Sequence, residues 1–286
     1  MKRLLIVMFF ASCTWSAFAA SPQEVRKQAQ ASLLVTGFVE IEPDGTVKDY
    51  VIDQPDKLPP VVTDVISKNV PTWKFEPVIV NGTAREAKSK MSLRIVAKQV
   101  DDKHDSVSIA AADFGANDSS AGETVTYKTR QIPKYPRMSI DARVSGAVYL
   151  LVLIDRQGLV GNAIAEQVNL FVYASDRDMD RYRKDLANAA LSAVKHWTFN
   201  IPSTGKHVND EHWVARVPIN FNLTTDGSTR PQERYGMWQV YIPGPRQIAP
   251  WAEKSKLLSD SPDAQPMGTL SQVGEGPRLM TPLGGA

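Results

Sequence analysis

The sequence predicts an α+β protein in which one strand–strand–helix–strand (ββαβ) unit occurs twice. Three observations predict it: alternating apolar residues run into a turn at Gly45 and again at Gly158, a helical apolar pattern follows each turn, and a Trp-x-Phe element follows each helix, at Trp73 and Trp197. Apolar residues at period two before a turn glycine are typical of a β-hairpin, and a period near 3.6 is typical of a helix. Antiparallel strands combined with helices define the α+β class.

The hairpin of each unit is read from apolar positions that correspond when Gly45 is aligned with Gly158. Three upstream residues of the first copy match three of the second: Val35, Val39 and Ile41 match Val148, Val152 and Ile154. Glycine at the turn supplies the positive φ that tight hairpins require. Each copy closes with another alternating strand, over residues 91–96 and 214–223.

The helix of the second copy is predicted by an apolar stripe that recurs every three or four residues. Its members are Met179, Tyr182, Leu186, Ala190, Val194 and Trp197. In the first copy Pro59-Pro60 opens a shorter helix that carries Val61, Val62, Val65 and Ile66, because proline is favoured in the first helical turn.

The chain divides by composition into five segments. We expect a signal peptide over 1–20, a first domain over 24–98, a linker over 99–124, a second domain over 125–225 and a Pro/Gly-rich tail over 226–286. The linker is inferred from the Asp, Ser and Ala content of residues 101–122, and the tail from its eight prolines and eight glycines. Within the tail we expect residues 235–251 to lie extended along a folded surface and the remainder to be loose.

The first twenty residues are typical of a secretory signal peptide. A basic start precedes an apolar run, and Ala17-Phe18-Ala19 is a small-x-small cleavage pattern. Cleavage would remove Lys2, Arg3 and Cys13, and no membrane span is expected afterwards. In the alternative interpretation Phe10-Ala11-Ser12-Cys13 is a lipobox and Cys13 is a lipidated N-terminus. The protein is predicted to be periplasmic in either case.

Composition and motifs give no indication of catalysis or of a bound cofactor. The 33 Lys and Arg nearly balance the 31 Asp and Glu, so no nucleic-acid partner is expected, and the single cysteine excludes a Cys-rich metal site. Ser192 and Lys195 spell S-x-x-K, but the companion elements of that enzyme motif are absent, so we expect a surface pair. A hydrolytic enzyme using Ser192 is the alternative. The prediction is a non-enzyme without a catalytic residue or cofactor.

Two groups of residues could suggest a metal ion, and neither fits one. Asp176, Asp178 and Asp180 imitate the start of a calcium loop but lack its glycine and its final glutamate, so a helix-capping run is expected. The histidines at 196, 207 and 212 lack further ligands at suitable spacing, so exposed loop histidines are expected. No metal site is therefore predicted.

The second copy resembles the C-terminal domain of the TonB family. The similarity covers residues 132–223, and residues 34–96 resemble the same domain more weakly, without the Tyr-Pro opening. The segments that carry it are Pro133-Lys134-Tyr135-Pro136, Gly146-Ala147-Val148, Gly158-Leu159-Val160, Trp197-Thr198-Phe199 and Val217-Pro218-Ile219-Asn220-Phe221.

The resemblance implies a way of binding. Domains of this family accept a strand of an outer-membrane receptor at a sheet edge, so that main-chain hydrogen bonds supply affinity and alternate side chains supply selectivity. Proline within the last strand cannot donate to a ladder, so the strand lies at an edge or contains a bulge. The alternative interpretation is an edge that is protected against pairing. The implied partner-binding residues are Tyr135, Pro136, Val214, Arg216, Pro218 and Asn220.

The implied partner is an outer-membrane receptor or another envelope protein. Transducers of the family have an uncleaved membrane helix and a Pro-rich spacer, whereas this chain has a cleavable-looking leader and its Pro-rich sequence at the other end. We therefore expect a periplasmic protein-binding module. The alternatives are an energy transducer, if the N-terminus is retained as an anchor, and a structural or homodimerising accessory protein whose tail covers the exposed edge.

Overall fold

The computed structural model describes residues 30–101, 104–115, 122–223, 235–252 and 262–283. They form mostly antiparallel sheets with few helices, in agreement with the α+β prediction. Among these residues no helix is long and apolar enough to cross a membrane. The predicted signal peptide, including Cys13, lies outside the described residues.

The first half of the chain contains three hairpins and one helix. In chain order its elements are β1 (Gln30–Ile41), β2 (Val47–Ile52), α1 (Pro60–Asn69), β3 (Val78–Val80), β4 (Thr83–Arg85), β5 (Ala87–Asp101) and β6 (His104–Gly115). Short 3-10 turns at Pro55–Lys57 and Val70–Thr72 flank the helix. Helix α1 begins at proline, as predicted, and buries Val62 and Ile66 against the sheet.

The second half and the tail follow. Their elements are β7 (Thr126–Thr129), α2 (Arg137–Asp141), β8 (Gly146–Ile154), β9 (Val160–Leu170), α3 (Asp176–Val194), β10 (Thr198–Asn200), β11 (Trp213–Phe221), β12 (Gln239–Tyr241) and β13 (Ser271–Gln272). The predicted apolar stripe forms the buried face of α3, except that Trp197 lies beyond the helix end.

The two glycine turns dock in the same way against the Trp-x-Phe strands. Gly45 has φ +87° and its carbonyl accepts a 2.7 Å bond from the Phe75 N–H; Gly158 has φ +74° and accepts a 2.8 Å bond from Phe199. A Cβ atom would lie 2.0 Å from the Phe75 oxygen at the first turn and 2.2 Å from the Phe199 oxygen at the second. Both the backbone angle and the close approach therefore require glycine.

The strands form two main antiparallel sheets, and the tail contributes a strand to each. The first sheet has the order β12-β1-β5-β6, with β2 also paired to β1, and the second has the order β13-β11-β8-β9. Each half also has its own apolar core, centred on Trp73 in the first and on Trp197 in the second.

The predicted linker is wrong for residues 104–115, which form strand β6. This strand pairs with β5 from Lys90↔Gly115 to Asp101↔His104. Its inward positions are Ile109 and Ala112, which are 4% and 5% exposed and belong to the first core. Small alanine side chains gave the segment little apolar periodicity, although they suffice where a strand packs closely.

The C-terminal part of the tail is packed, not loose. Ala264 and Gln272 are buried, and residues 278–280 hydrogen-bond to the strand at Lys74–Glu76. Residues 235–252 run extended over the surface and bond to β1 and β9. A Pro/Gly-rich chain without a core of its own is held here by strand edges, because these offer free backbone groups.

Candidate functional site

Strand β11 is held along its whole length on one side. It pairs with β8 from Trp213↔Ile154 to Phe221↔Gly146. Alternate side chains enter the second core, where Ala215, Val217, Ile219 and Phe221 are at most 4% exposed. This side of the strand is therefore fixed, and only its opposite edge can accept a further strand.

The outer edge of β11 carries the backbone groups of the four residues predicted on this strand: Val214, Arg216, Pro218 and Asn220. The Val214 carbonyl accepts a 2.8 Å bond from Val273, and the Pro218 carbonyl a 3.3 Å bond from Gly268. Arg216 lies in register with Ser271 of β13. The tail thus covers three of the four positions, and Asn220 lies beyond it.

Pro218 sits inside the β11 ladder opposite Tyr149 of β8. Its nitrogen is on the outer side, because backbone groups of alternate residues point to opposite edges of a strand. The N–H donor that proline lacks is not needed on this outer side, whereas on the β8 side its absence would remove a hydrogen bond from the ladder.

The side chain of Arg216 is committed to a buried ion pair. Its Nε lies 2.6 Å from Oε2 of Glu166 on β9, and the two residues are 1% and 0% exposed. Arg246 of the tail adds a second contact, with Nη2 2.7 Å from Glu166 Oε1. Of Arg216, therefore, only the backbone faces the edge.

Tyr135 and Pro136 lie beside the end of β11. The Tyr135 hydroxyl donates to the Val144 carbonyl and, at 3.2 Å, to the Phe221 carbonyl, and the rings of Tyr135 and Phe221 meet edge to face at 5.3 Å. Burial raises the pKa of Tyr135 to about 12, so the hydroxyl remains a donor at neutral pH. Pro136 caps the short helix α2. Tyr135 therefore supports the end of the predicted edge strand.

A cavity of about 1010 Å³ opens at this end of β11. Tyr135, Pro218 and Asn220 line it together with Leu33 and Leu34 of β1. Its described lining includes two arginines, at 94 and 130, and no Asp or Glu. The β1 and arginine positions were not predicted, because they are distant in sequence and no local pattern marks them.

Asn220 presents an unsatisfied acceptor in this cavity. Its Oδ1 is buried and has no hydrogen-bond partner among the described residues. A buried acceptor left without a donor carries a desolvation penalty, which an incoming N–H would remove. The geometry at Asn220 therefore suits a ligand with backbone or side-chain N–H groups.

The histidines differ from one another in environment. His196 and His212 are exposed, as expected, but His207 is only 24% exposed. Its Nδ1 lies 2.6 Å from Asp210 Oδ2, and its Nε2 contacts the Glu275 carboxylate of the tail. The expectation of an exposed histidine is thus wrong for His207, because the tail folds back over its loop.

The remaining motif residues have structural positions. Asp176 and Asp178 lie in the first turn of α3, and the side chain that caps the helix is Ser175, whose Oγ accepts a 3.3 Å bond from the Asp178 N–H. Ser192 and Lys195 are both exposed near the end of that helix. Within the described part of the chain, no group of three or more His, Cys, Asp or Glu side chains is placed to hold a metal ion.

Comparison with known proteins agrees with the resemblance in the sequence. Two proteins named Protein TonB, from two strains of Xanthomonas campestris pv. campestris, are each 33% identical over 109 residues. The match covers 37% of this chain and 42% of each relative, so the chain spans less than half of their length. No family model and no solved structure matches. The resemblance to the TonB family is thus confirmed over a 109-residue segment of this chain.

Proposed function

We propose that this protein is a periplasmic, non-enzymatic binding module that engages an outer-membrane or other envelope protein through the outer edge of β11. The observation that carries the proposal is the state of that edge: a two-residue strand covers its middle, and its Asn220 end opens to the cavity. The TonB relatives support an envelope protein as the partner.

The proposed contact is the addition of a strand. An extended partner segment would bond to the outward backbone groups of β11, and its alternate side chains would face the cavity. The first half, with its similar turn and Trp-x-Phe contacts, is proposed to be a degenerate second copy of the domain. Its β5 edge is covered by β6, so this half is not the proposed binding surface.

A backbone substitution at Asn220 tests the edge. Asn220→Pro removes an outward N–H at the end that the tail leaves open, whereas Asn220→Ala removes only the side chain. With envelope extract of the source bacterium as the ligand, we expect Asn220→Pro to lower retention of the partner at least about tenfold, and Asn220→Ala to lower it by less than about threefold. Equal retention by both variants and the unchanged chain would refute edge binding.

A photo-crosslinking amino acid identifies what lies at the site. Placed at Asn220, it should form adducts with a periplasmic segment of an outer-membrane protein. Placed at Ala110, which is exposed on the outermost strand of the first sheet, it should form none of these. The same adducts from both positions would show that capture does not depend on the β11 edge.

A structural accessory role is the second candidate. The observation in its favour is that the tail adds a strand to both sheets and so ties the halves together. In that role the β11 edge would stay closed. Amide hydrogen exchange separates the two candidates: protection of the Arg216 amide equal to that of Val217, which faces β8, favours the structural role.

A further inference from the structure

The tail segment Gly268–Glu275 lies where a partner strand would lie under the proposed function. It runs antiparallel to β11, with Val273 bonded to Val214 and Ser271 in register with Arg216. The segment belongs to this chain, yet it is far from β11 in sequence. The residues of this segment therefore show which strand direction and which side chains fit the β11 edge.

The segment is tethered at both ends. Before it, the 3-10 turn at Pro262–Ala264 is fixed by Ser92 Oγ donating to the Ala264 carbonyl at 2.6 Å and by Arg94 Nε donating to the Asp263 carbonyl at 2.9 Å. After it, residues 278–280 bond to Lys74–Glu76 of the first half. Such tethers keep a released segment at high local concentration, so it can leave and return.

The contact between the two tethers is small. The paired strand has two residues, compared with nine in β11. The net contribution of each added backbone bond is modest, because water replaces it on release. A longer strand that also reached Asn220 would make more bonds than the tail does.

The side chains of the segment follow a definite pattern. Leu270 packs on the second core, and Val273 packs beside Leu151 and Ala249. Glu275 contacts His207 and lies 3.4 Å from Lys206 Nζ.

The polar positions of the segment are also used. The Gln272 side-chain oxygen accepts a 3.2 Å bond from the Val125 N–H, and the Thr269 carbonyl accepts one from the Tyr127 hydroxyl. The edge therefore accommodates apolar side chains at the places of Leu270 and Val273 and a carboxylate at the place of Glu275. The residues before and between the two apolar ones, at 269, 271 and 272, are polar.

We propose that Gly268–Glu275 is a resident pseudo-ligand of the β11 edge. A partner strand displaces it and shares its chemistry: antiparallel direction, apolar side chains at the places of Leu270 and Val273, and a carboxylate that reaches Lys206 and His207. The inference rests on the proposed function, because it names the partner chemistry and the competitor of that same edge.

The test uses a fluorescein-labelled synthetic peptide of Gly268–Glu275 and the purified full-length chain. Val273→Pro removes the donor to Val214 and should release the resident segment, so the peptide should bind at least about tenfold more tightly than to the unchanged chain. Val273→Ala keeps that donor and should change the affinity by less than about threefold. Peptide affinity that Val273→Pro leaves unchanged overturns the proposal.

A second variant acts without altering the backbone. Glu275→Lys places a cation against Lys206 and His207, so it should raise peptide affinity at least about threefold, while the same change in the peptide should weaken its binding. Hydrogen exchange of the Val217 amide, which faces β8, reports whether each variant keeps its fold. If both variants fold and neither binds the peptide more tightly, the tail is not a competitor.

The two proposals fail separately. An envelope protein that binds the unchanged chain and Val273→Pro equally, and that the peptide does not compete away, overturns the pseudo-ligand while edge binding stands. If the peptide results are as expected but Asn220→Pro does not change the binding of the envelope protein, the pseudo-ligand is supported and the proposed partner contact is refuted.

Discussion

Strands β5 and β11 close the two halves in the same way and differ at their outer edges. Each pairs on its inner side with a long strand of its own half, β1 or β8. On the outer side β5 is followed directly by β6, a strand of twelve residues, whereas β11 meets a strand of two residues from the distant tail. The outer side of β5 is thus paired along a long strand, whereas that of β11 is covered over only a short stretch.

Strands β5 and β11 also differ in whether a charged side chain at a corresponding position is buried. Val35 of the first half pairs with Leu93, and Val148 of the second half pairs with Ile219. Lys90 lies three residues before Leu93, and Arg216 lies three residues before Ile219. Lys90 and Arg216 therefore hold corresponding positions. Lys90 is exposed, but Arg216 is buried against Glu166. The second half therefore buries a charged group beneath β11, whereas the first half has the corresponding charged group on its surface.

The largest expected effect comes from breaking this buried pair. Glu166→Gln removes the carboxylate that both Arg216 and Arg246 contact, so we expect the free energy of unfolding to fall by about 3–5 kcal/mol, because the buried ion pair between Arg216 and this carboxylate is broken. Urea denaturation followed by circular dichroism measures the loss.

The control is Lys90→Met, which removes the charge that stands in the first half where Arg216 stands in the second. Lys90 is exposed, so the free energy of unfolding should change by less than about 1 kcal/mol. A loss as large as that of Glu166→Gln would show that the two positions do not differ as their burial indicates.

Local patterns were sufficient for the hairpins and the long helix. The turns at Gly45 and Gly158 were predictable because a positive φ leaves few alternatives to glycine, and α3 because its apolar residues repeat at helical spacing. The Arg216–Glu166 pair was not predictable, since its partners lie on different strands and neither residue type indicates burial. Likewise Ala112 of β6 resembles linker sequence until β5 is placed beside it.

The indole nitrogens of Trp73 and Trp197 differ in hydrogen bonding, and from this difference we expect an intermediate effect on stability. Trp73 and Trp197 are both buried, but the Trp197 Nε1 donates a 2.8 Å bond to the Gln131 carbonyl, whereas the Trp73 Nε1 has no partner among the described residues. Trp197→Phe should therefore cost about 1–3 kcal/mol more than Trp73→Phe, since only the former loses a hydrogen bond. Parallel urea titrations measure the difference, and equal losses would contradict it.

The origin of this difference is also visible in the sequence. Gln131 immediately precedes the part of the second copy that resembles the TonB family, including Tyr135-Pro136, and the first copy lacks that opening. The sequence did not predict the hydrogen bond itself, because Gln131 and Trp197 are distant in sequence.

The smallest expected effect concerns what lies beside each Trp-x-Phe strand. Phe75 is bridged by Leu279 of the tail, whereas Phe199 pairs with Tyr127 of β7, whose hydroxyl donates a 3.2 Å bond to the Thr269 carbonyl. Burial raises the pKa of Tyr127 to about 12, although the nearby Arg130 guanidinium opposes the rise.

Between pH 10 and pH 12 the unfolded chain releases the Tyr127 proton while the folded chain keeps it, so stability is lost as pH rises through this window and is unaffected below it. Tyr127→Phe should remove that part of the alkaline loss, because phenylalanine has no proton to release. Urea midpoints at pH 9 and about pH 11.5 check this: the midpoint should fall further for the unchanged chain than for the variant. An equal fall in both proteins would mean that burial does not raise the pKa of Tyr127 in the folded chain.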